Sequence, residues 1–238
     1  MTGVVNDVVT SPLVTSGTVV SDRVEGPPGG GAVPGTTVFD APWTGVDGAT
    51  AYVEESSNAA SATFVGGAHI EDTEFFSAPT SLRVDGVGEY VTFPDIPAYT
   101  LGGSDFEITN QVRFSALAMG GNVHYIISQF RSVPLSDRAF ALLYVEPPSG
   151  FLRFLYNLIP VDRPWAPVIN TWYKLTVRRV GDSLTMLVDD VPLGAPHDMT
   201  GVVIVDSPRP LMFAAIDTGS GIAGFLNGYI DDSKIVIG

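Results

Sequence analysis

The sequence predicts an all-β chain folded as a two-sheet antiparallel sandwich, and three observations carry that expectation. Apolar and polar residues alternate with period two over several segments. Turn residues recur at close intervals between those segments, and no stretch has the 3.6-residue periodicity of a long amphipathic helix. With 45% hydrophobic residues, 13 Phe and 8 Tyr among 238 residues, the chain holds ample material for one packed core. The 26 Gly and 18 Pro suit many strands joined by many turns.

Phe106, Ile108, Val112 and Phe114 alternate with Glu107, Thr109, Gln111 and Arg113, which predicts a strand with one buried and one wet face. Tyr173, Leu175 and Val177 alternate in the same way with Lys174, Thr176 and Arg178. Gly181-Asp182 then signals a short turn, and Leu184, Met186 and Val188 continue beyond it, so 172–189 reads as a β-hairpin. Further strands are expected at 81–85, 89–93, 124–130, 139–145, 151–156, 211–216 and 226–237, and no internal repeat is present.

Residues 1–36 differ from the rest. They contain no aromatic residue, and Gly26-Pro27-Pro28-Gly29-Gly30-Gly31 through Pro34-Gly35 is dense in Pro and Gly. Such a segment cannot bury enough surface to order itself. It is expected to be an extended N-terminal arm and linker, held by a neighbouring subunit, with Val4, Val5, Val8, Val9 and Leu13 as its apolar handles. Their spacing also fits a short helix, but β-branching favours extended chain. Residues 37–238 are then the globular domain.

The formal net charge of −14, from 12 basic and 26 acidic residues, is opposite to what phosphate neutralisation requires, so nucleic acid is not an expected partner. Anionic membrane surfaces are disfavoured for the same reason. No cysteine is present, the N-terminus has neither a basic n-region nor an apolar h-region, and no apolar run approaches a membrane span. A soluble chain made in a cytosol is the expectation.

Four stretches resemble one superfamily in order. They are Thr80-Ser81-Leu82-Arg83-Val84-Asp85-Gly86 with Glu89-Tyr90-Val91-Thr92-Phe93-Pro94; Asp105-Phe106-Glu107-Ile108-Thr109 through Val112-Arg113-Phe114; Trp172 to Arg179 with Leu184 to Val191; and Phe225-Leu226-Asn227-Gly228-Tyr229-Ile230-Asp231-Asp232. The chain is similar to the concanavalin A-like lectins and glucanases, and among them to the laminin-G-like jelly rolls, a type also found in bacteriophage virion proteins. The resemblance implies a jelly roll from about Phe39 to Gly238. One departure is Asp190, which stands where the family usually places a glycine after the turn Asp.

The superfamily includes glucanases, whose paired carboxylates flank one glycosidic bond. The nearest match, Glu71-Asp72-Thr73-Glu74, has the wrong alternation and reads as an exposed acidic loop, so no catalytic residue is assigned. His69, His124 and His197 show no metal-ligand spacing. Gly219 to Gly224 lacks the Lys and following helix of a phosphate loop and reads as a turn between strands. The resemblance brings calcium into view, with Asp189, Asp190, Asp231, Asp232, Asp206 and Asp217 as the carboxylates, but no ligand set can be assembled from spacing; no metal site or cofactor is assigned.

Trp165 with Arg163 is the candidate glycan contact, in the irregular stretch Arg163-Pro164-Trp165-Ala166-Pro167. The competing reading has Trp43 and Trp165 covering the ends of the core. Trp172, at the start of a core strand, reads as packing. Architecture and resemblance together imply a non-enzymatic bacteriophage virion structural protein, a head decoration or tail-associated component at the virion surface after assembly in the host cytoplasm. Its partners would be other virion proteins and copies of itself. The alternative is a carbohydrate-binding module or receptor-binding adhesin domain whose partners are surface glycans.

Overall fold

A computed structural model describes residues 33–77, 79–117 and 122–238. The arm residues Val4, Val5, Val8, Val9 and Leu13 lie outside the described residues. The described chain is all-β. Its strands are β1 (Thr36–Ala41), β2 (Thr63–Val65), β3 (His69–Glu71), β4 (Ser81–Asp85), β5 (Tyr90–Phe93), β6 (Phe106–Phe114), β7 (Val123–Phe130), β8 (Arg138–Val145) and β9 (Phe151–Tyr156). There follow β10 (Ile159–Pro164), β11 (Trp172–Val180), β12 (Ser183–Val188), β13 (Val191–Pro192), β14 (His197–Asp198), β15 (Leu211–Phe213), β16 (Ile216–Asp217), β17 (Ile222–Ala223) and β18 (Asn227–Ile237). Among the described residues the only helices are single 3-10 turns at Pro97–Tyr99 and Leu135–Asp137, and none is long enough to cross a membrane.

Two antiparallel sheets form the sandwich. The larger runs β13-β12-β11-β6-β18-β4-β3, with β1 also paired to β18 and β14 to β12; the smaller runs β10-β9-β8-β7-β15-β5-β2. Consecutive hairpin pairs alternate with crossovers between strands distant in sequence, such as β11-β6, β6-β18, β18-β4, β7-β15 and β15-β5, as a jelly roll requires. β18 is the organising strand: it pairs with β6 along one side, and with β4 and then β1 along the other. Its register slips between Asp231 and Lys234, a bulge that falls where β4 gives way to β1.

The core lies between the sheets and is rich in aromatics. Phe39 sits 4.9 Å from Phe93 and 5.4 Å from Phe213, and Trp43 lies 5.2 Å from Phe213, all with the residues fully buried. Leu82, Val84, Ile108, Val112, Phe114, Leu175, Val177 and Ile230 point inward from the larger sheet. Alternation then sends Arg83, Glu107, Thr109, Gln111, Arg113, Lys174 and Tyr229 to its outer face.

The hairpin at 172–189 is present as β11 and β12, joined at Gly181-Asp182, with Gly181 at φ 56°. Asp189-Asp190 forms the next two-residue turn, into β13, with φ of 51° and 64°. This conformation strains most residues but is tolerated by Asp. Lys174 compensates: its N–H donates to Asp189 and its ammonium to Asp190. Expected strand 211–216 is instead two short strands, because Ala214 adopts φ 68° and turns its N–H to the Ile126 carbonyl. β10 escapes a propensity reading because it contains Pro160 and Pro164; it is an edge strand, where prolines cost no ladder bond.

Candidate functional site: an arginine and aromatic row on the outer sheet face

One row of side chains crosses the outer face of the larger sheet. Trp172 on β11 is opposite Arg113 on β6, Arg113 is opposite Tyr229 on β18, Tyr229 is opposite Arg83 on β4, and Arg83 is opposite His69 on β3. All five are half-buried. The Arg113 guanidinium carbon lies 5.2 Å from the Tyr229 ring centroid, a cation–π contact. The rings of Trp172 and Tyr229 are 6.3 Å apart.

The segment 74–77 overhangs this row. Glu74 pairs with Arg113 at 3.3 Å, and its carbonyl accepts the Ser81 hydroxyl. Phe76, 51% exposed, brings its ring to 6.2 Å from Trp172. The segment is fixed from below by β18: Asp231 accepts the N–H groups of Phe76 and Ser77 at 2.9 and 2.8 Å, and Asp232 accepts the Ser77 hydroxyl. Burial, helped by the adjacent Asp232 charge, pushes the Asp231 carboxyl up to about 7, against the lowering effect of the Ser77, Asp232 and Phe76 N–H groups.

Two residues along the same strands lies a polar groove of about 360 Å³, lined by Asp40, Glu107, Thr109, Gln111, Lys174, Asp232 and Lys234. Arg178 holds Glu107 at 2.6 Å and Lys234 holds Asp40 at 3.0 Å. With Asp232 bound to Ser77, every carboxylate of the groove already has a donor. Gln111 differs: it is only 5% exposed, yet its Oε1 has no hydrogen-bond partner in the protein. Buried acceptors are normally satisfied, so this unpaired oxygen carries a desolvation cost beneath the groove floor.

A second cavity of about 670 Å³ opens among Asp85, Asn122, His124, Tyr125, Thr218, Phe225 and Asn227. His124 in its wall is committed: one ring nitrogen faces Glu146 Oε1 at 2.7 Å and the other the Phe225 carbonyl at 3.2 Å. This is a satisfied structural pair in a polar wall.

The sequence-predicted residues fall elsewhere. Trp165 stands edge-on to Tyr173 and Tyr144, at 5.1 and 5.6 Å, and packs on the core. Arg163 donates to the Asp162 and Ala195 carbonyls. Neither lines the two cavities. Trp43 is fully buried, and its indole N–H donates to Ser233. Trp172, expected to pack in the core, is corrected to the outer face. It shares the parity of Lys174 and Thr176, and that parity was the available signal.

The calcium candidates are dispersed over the fold. Asp189 and Asp190 serve a turn, Asp206 accepts the Thr100 hydroxyl, and Asp217 faces Arg131 at 3.4 Å. Among the described residues Asp47, Glu71 and Asp72 bring carboxylate oxygens within 4.8 Å of one another. Glu71 there is held by the hydroxyl and N–H of Thr73, which keep its carboxyl below the usual range.

A scan against protein-family models gives no match, and a search of curated proteins by sequence gives none either. Solved structures do share the fold. The chain is similar to the binding domain of Paraclostridial Mosquitocidal Protein 1, with a TM-score of 0.62 and 14% identity over 84% of this chain and 48% of that one. It is similar to domain 4 of AbnA, a GH43 extracellular arabinanase from Geobacillus stearothermophilus, solved with arabinotriose, with a TM-score of 0.62 and 12% identity over 86% and 93%. It is also similar to the ligand-binding domain of botulinum neurotoxin serotype D in complex with N-acetylneuraminic acid, with a TM-score of 0.63 and 10% identity over 84% and 47%. The chain spans about half the length of the two toxin domains. The fold class is thus a jelly-roll β-sandwich, shared with these three domains.

Proposed function

We propose that this chain is a non-enzymatic carbohydrate-binding module, and that the outer face of the larger sheet is its binding surface. The observation that carries the reading is the in-register row Trp172–Arg113–Tyr229 beside a polar groove. Aromatic rings stack on the apolar faces of sugars, while neighbouring donors and acceptors read the hydroxyls. The Lys174 and Lys234 ammonium groups, which line the groove and keep protons beyond those their carboxylate partners take, supply that second requirement. The ligands of two structural neighbours, arabinotriose and N-acetylneuraminic acid, support a sugar ligand here.

The test is a glycan array probed with the full chain, followed by titration calorimetry on the hits. Trp172→Ala is expected to weaken binding at least tenfold while circular dichroism stays unchanged. Trp165→Ala, at the other candidate contact, provides the comparison; loss of binding only there would move the site to Arg163 and Trp165.

The virion role is the second reading, and what favours it is the composition of residues 1–36: aromatic-free, Pro/Gly-rich, and studded with Val4, Val5, Val8, Val9 and Leu13. It proposes an arm that engages copies of the chain or other virion proteins, with the jelly roll displayed on the virion surface. Light scattering of the full chain beside a 37–238 fragment tests it. A defined oligomer that becomes monomeric on truncation supports an assembly arm, and retained assembly by the fragment removes it. The two roles are compatible, because an arm can anchor a domain that binds glycans.

A further inference from the structure

Every described lysine and arginine but one is engaged by the protein. Arg113, Arg131, Arg153, Lys174, Arg178, Arg209 and Lys234 have carboxylate partners. Arg138, Arg163 and Arg179 donate to backbone carbonyls. Among the described lysines and arginines, the Arg83 side chain alone has neither a hydrogen bond nor an ion pair.

This is unexpected in a chain whose acidic residues outnumber its basic ones by 26 to 12. Nor does the local sequence lack carboxylates. Glu71 and Asp85 stand on the adjoining rows of the same face, but both are engaged elsewhere: Glu71 binds Thr73 and His69, and Asp85 accepts the Val87 N–H. Arg83 meanwhile is half-buried, set in register between Tyr229 and His69. A guanidinium withdrawn partly from water, with no internal partner, is a preformed fork for an external anion, and its planar geometry suits a carboxylate in bidentate contact. Its place beside the Tyr229 ring sets an aromatic surface next to that fork.

We infer that Arg83 selects carboxylate-bearing sugars, a uronic or sialic acid residue whose ring lies on Tyr229 and whose carboxylate meets the Arg83 guanidinium. This rests on the outer sheet face being the glycan surface, and it names the ligand class. His69 at the end of the row closes the subsite, with its Nδ1 side occupied by the Gly67 carbonyl.

The experiment is titration calorimetry of the full chain with trigalacturonic acid, sialyllactose, lactose and arabinotriose. At least one of the two acidic sugars should bind tenfold or more tightly than the neutral ones, and which one distinguishes uronate from sialate. Arg83→Gln should cut the acidic affinity at least tenfold, to the level of the neutral sugars. Arg83→Lys, which keeps the charge but loses the fork, should fall between them and stands in if the glutamine variant does not fold. Equal affinity for acidic and neutral sugars, or a preference that survives Arg83→Gln, would overturn the assignment while leaving the sheet-face reading intact. Failure of the wild-type chain to bind any of the four sugars, with no hit on the array, would overturn both.

Discussion

Arg113 and Tyr229 face each other across β6 and β18, with the guanidinium carbon 5.2 Å from the ring centroid. The same guanidinium pairs with Glu74 at 3.3 Å, so one side chain ties the overhanging segment to the aromatic row. Arg113→Gln removes both interactions. Glu74 is 40% exposed, so water screens the pair from that side, and a loss of about 1 kcal/mol is expected in urea denaturation. Hydrogen exchange should rise first at the Phe76 and Ser77 amides.

Asp231 gives the domain a pH dependence of definite sign. Its carboxyl is held at about 7 in the folded chain against an ordinary value of 3.8. Between those values the folded state binds more protons than the unfolded state, so this group's contribution to stability falls as pH rises through the window and levels off outside it. Asp231→Asn has no such titration. The difference in unfolding free energy, wild type minus variant, should therefore be larger at pH 4 than at pH 7.5, by about 2–4 kcal/mol. A pH-independent difference would show that the carboxyl is not raised.

Asn110 is fully buried in the larger sheet, and both polar atoms of its amide lack a hydrogen-bond partner in the protein. Its cross-strand neighbour is Leu175. Asn110→Leu, close in size, should stabilise the domain by about 1–2 kcal/mol, since a buried unpaired amide carries a desolvation cost with no return. Tyr99→Phe should act in the same direction, because the Tyr99 hydroxyl is likewise unpaired. Thermal denaturation of the two variants checks both.

Glu54 is 1% exposed and gathers four donors: the N–H groups of Asp40, Ser56 and Ala60 and the Ser56 hydroxyl. It therefore pins the segment 54–60 to β1. Glu54→Ala strands these donors and should cost about 3–5 kcal/mol, measured as a fall in the urea midpoint.

The tryptophans should separate cleanly. Trp43→Ala removes a fully buried ring stacked on Tyr52 at 5.0 Å, and a loss of about 3–5 kcal/mol is expected. Trp172→Ala, at a half-exposed position, should cost about 1 kcal/mol or less while removing sugar binding. Chemical denaturation beside calorimetry reads both effects.

Local pattern was enough for much of the fold. Alternation in Phe106–Phe114 and Trp172–Val180 marks strands because side chains on a pleated backbone must alternate faces, and Gly181-Asp182 marks a turn because glycine accepts a positive φ. The short pieces β2, β3, β16 and β17 carry two or three residues each, too few for a period to show, and exist through the partners that pair with them. The same parity rule placed Arg113 outward beside Glu107, Thr109 and Gln111, while the outward phase of Arg83 emerges only from its pairing with Tyr229 and His69. Reading Trp172 by its hydrophobicity instead of its phase put it in the core.

The sequence by itself determined the two faces of the long alternating strands Phe106–Phe114 and Trp172–Val180, since those follow from a period of two. It could not determine which outward residues stand side by side. His69, Arg83, Arg113, Trp172 and Tyr229 lie on five strands scattered along the chain, and only the order β11-β6-β18-β4-β3 with its register brings them into one row. That order is settled by how two apolar faces close over one aromatic core. Tertiary structure alone therefore decided that the row exists and that Arg83 within it has no partner.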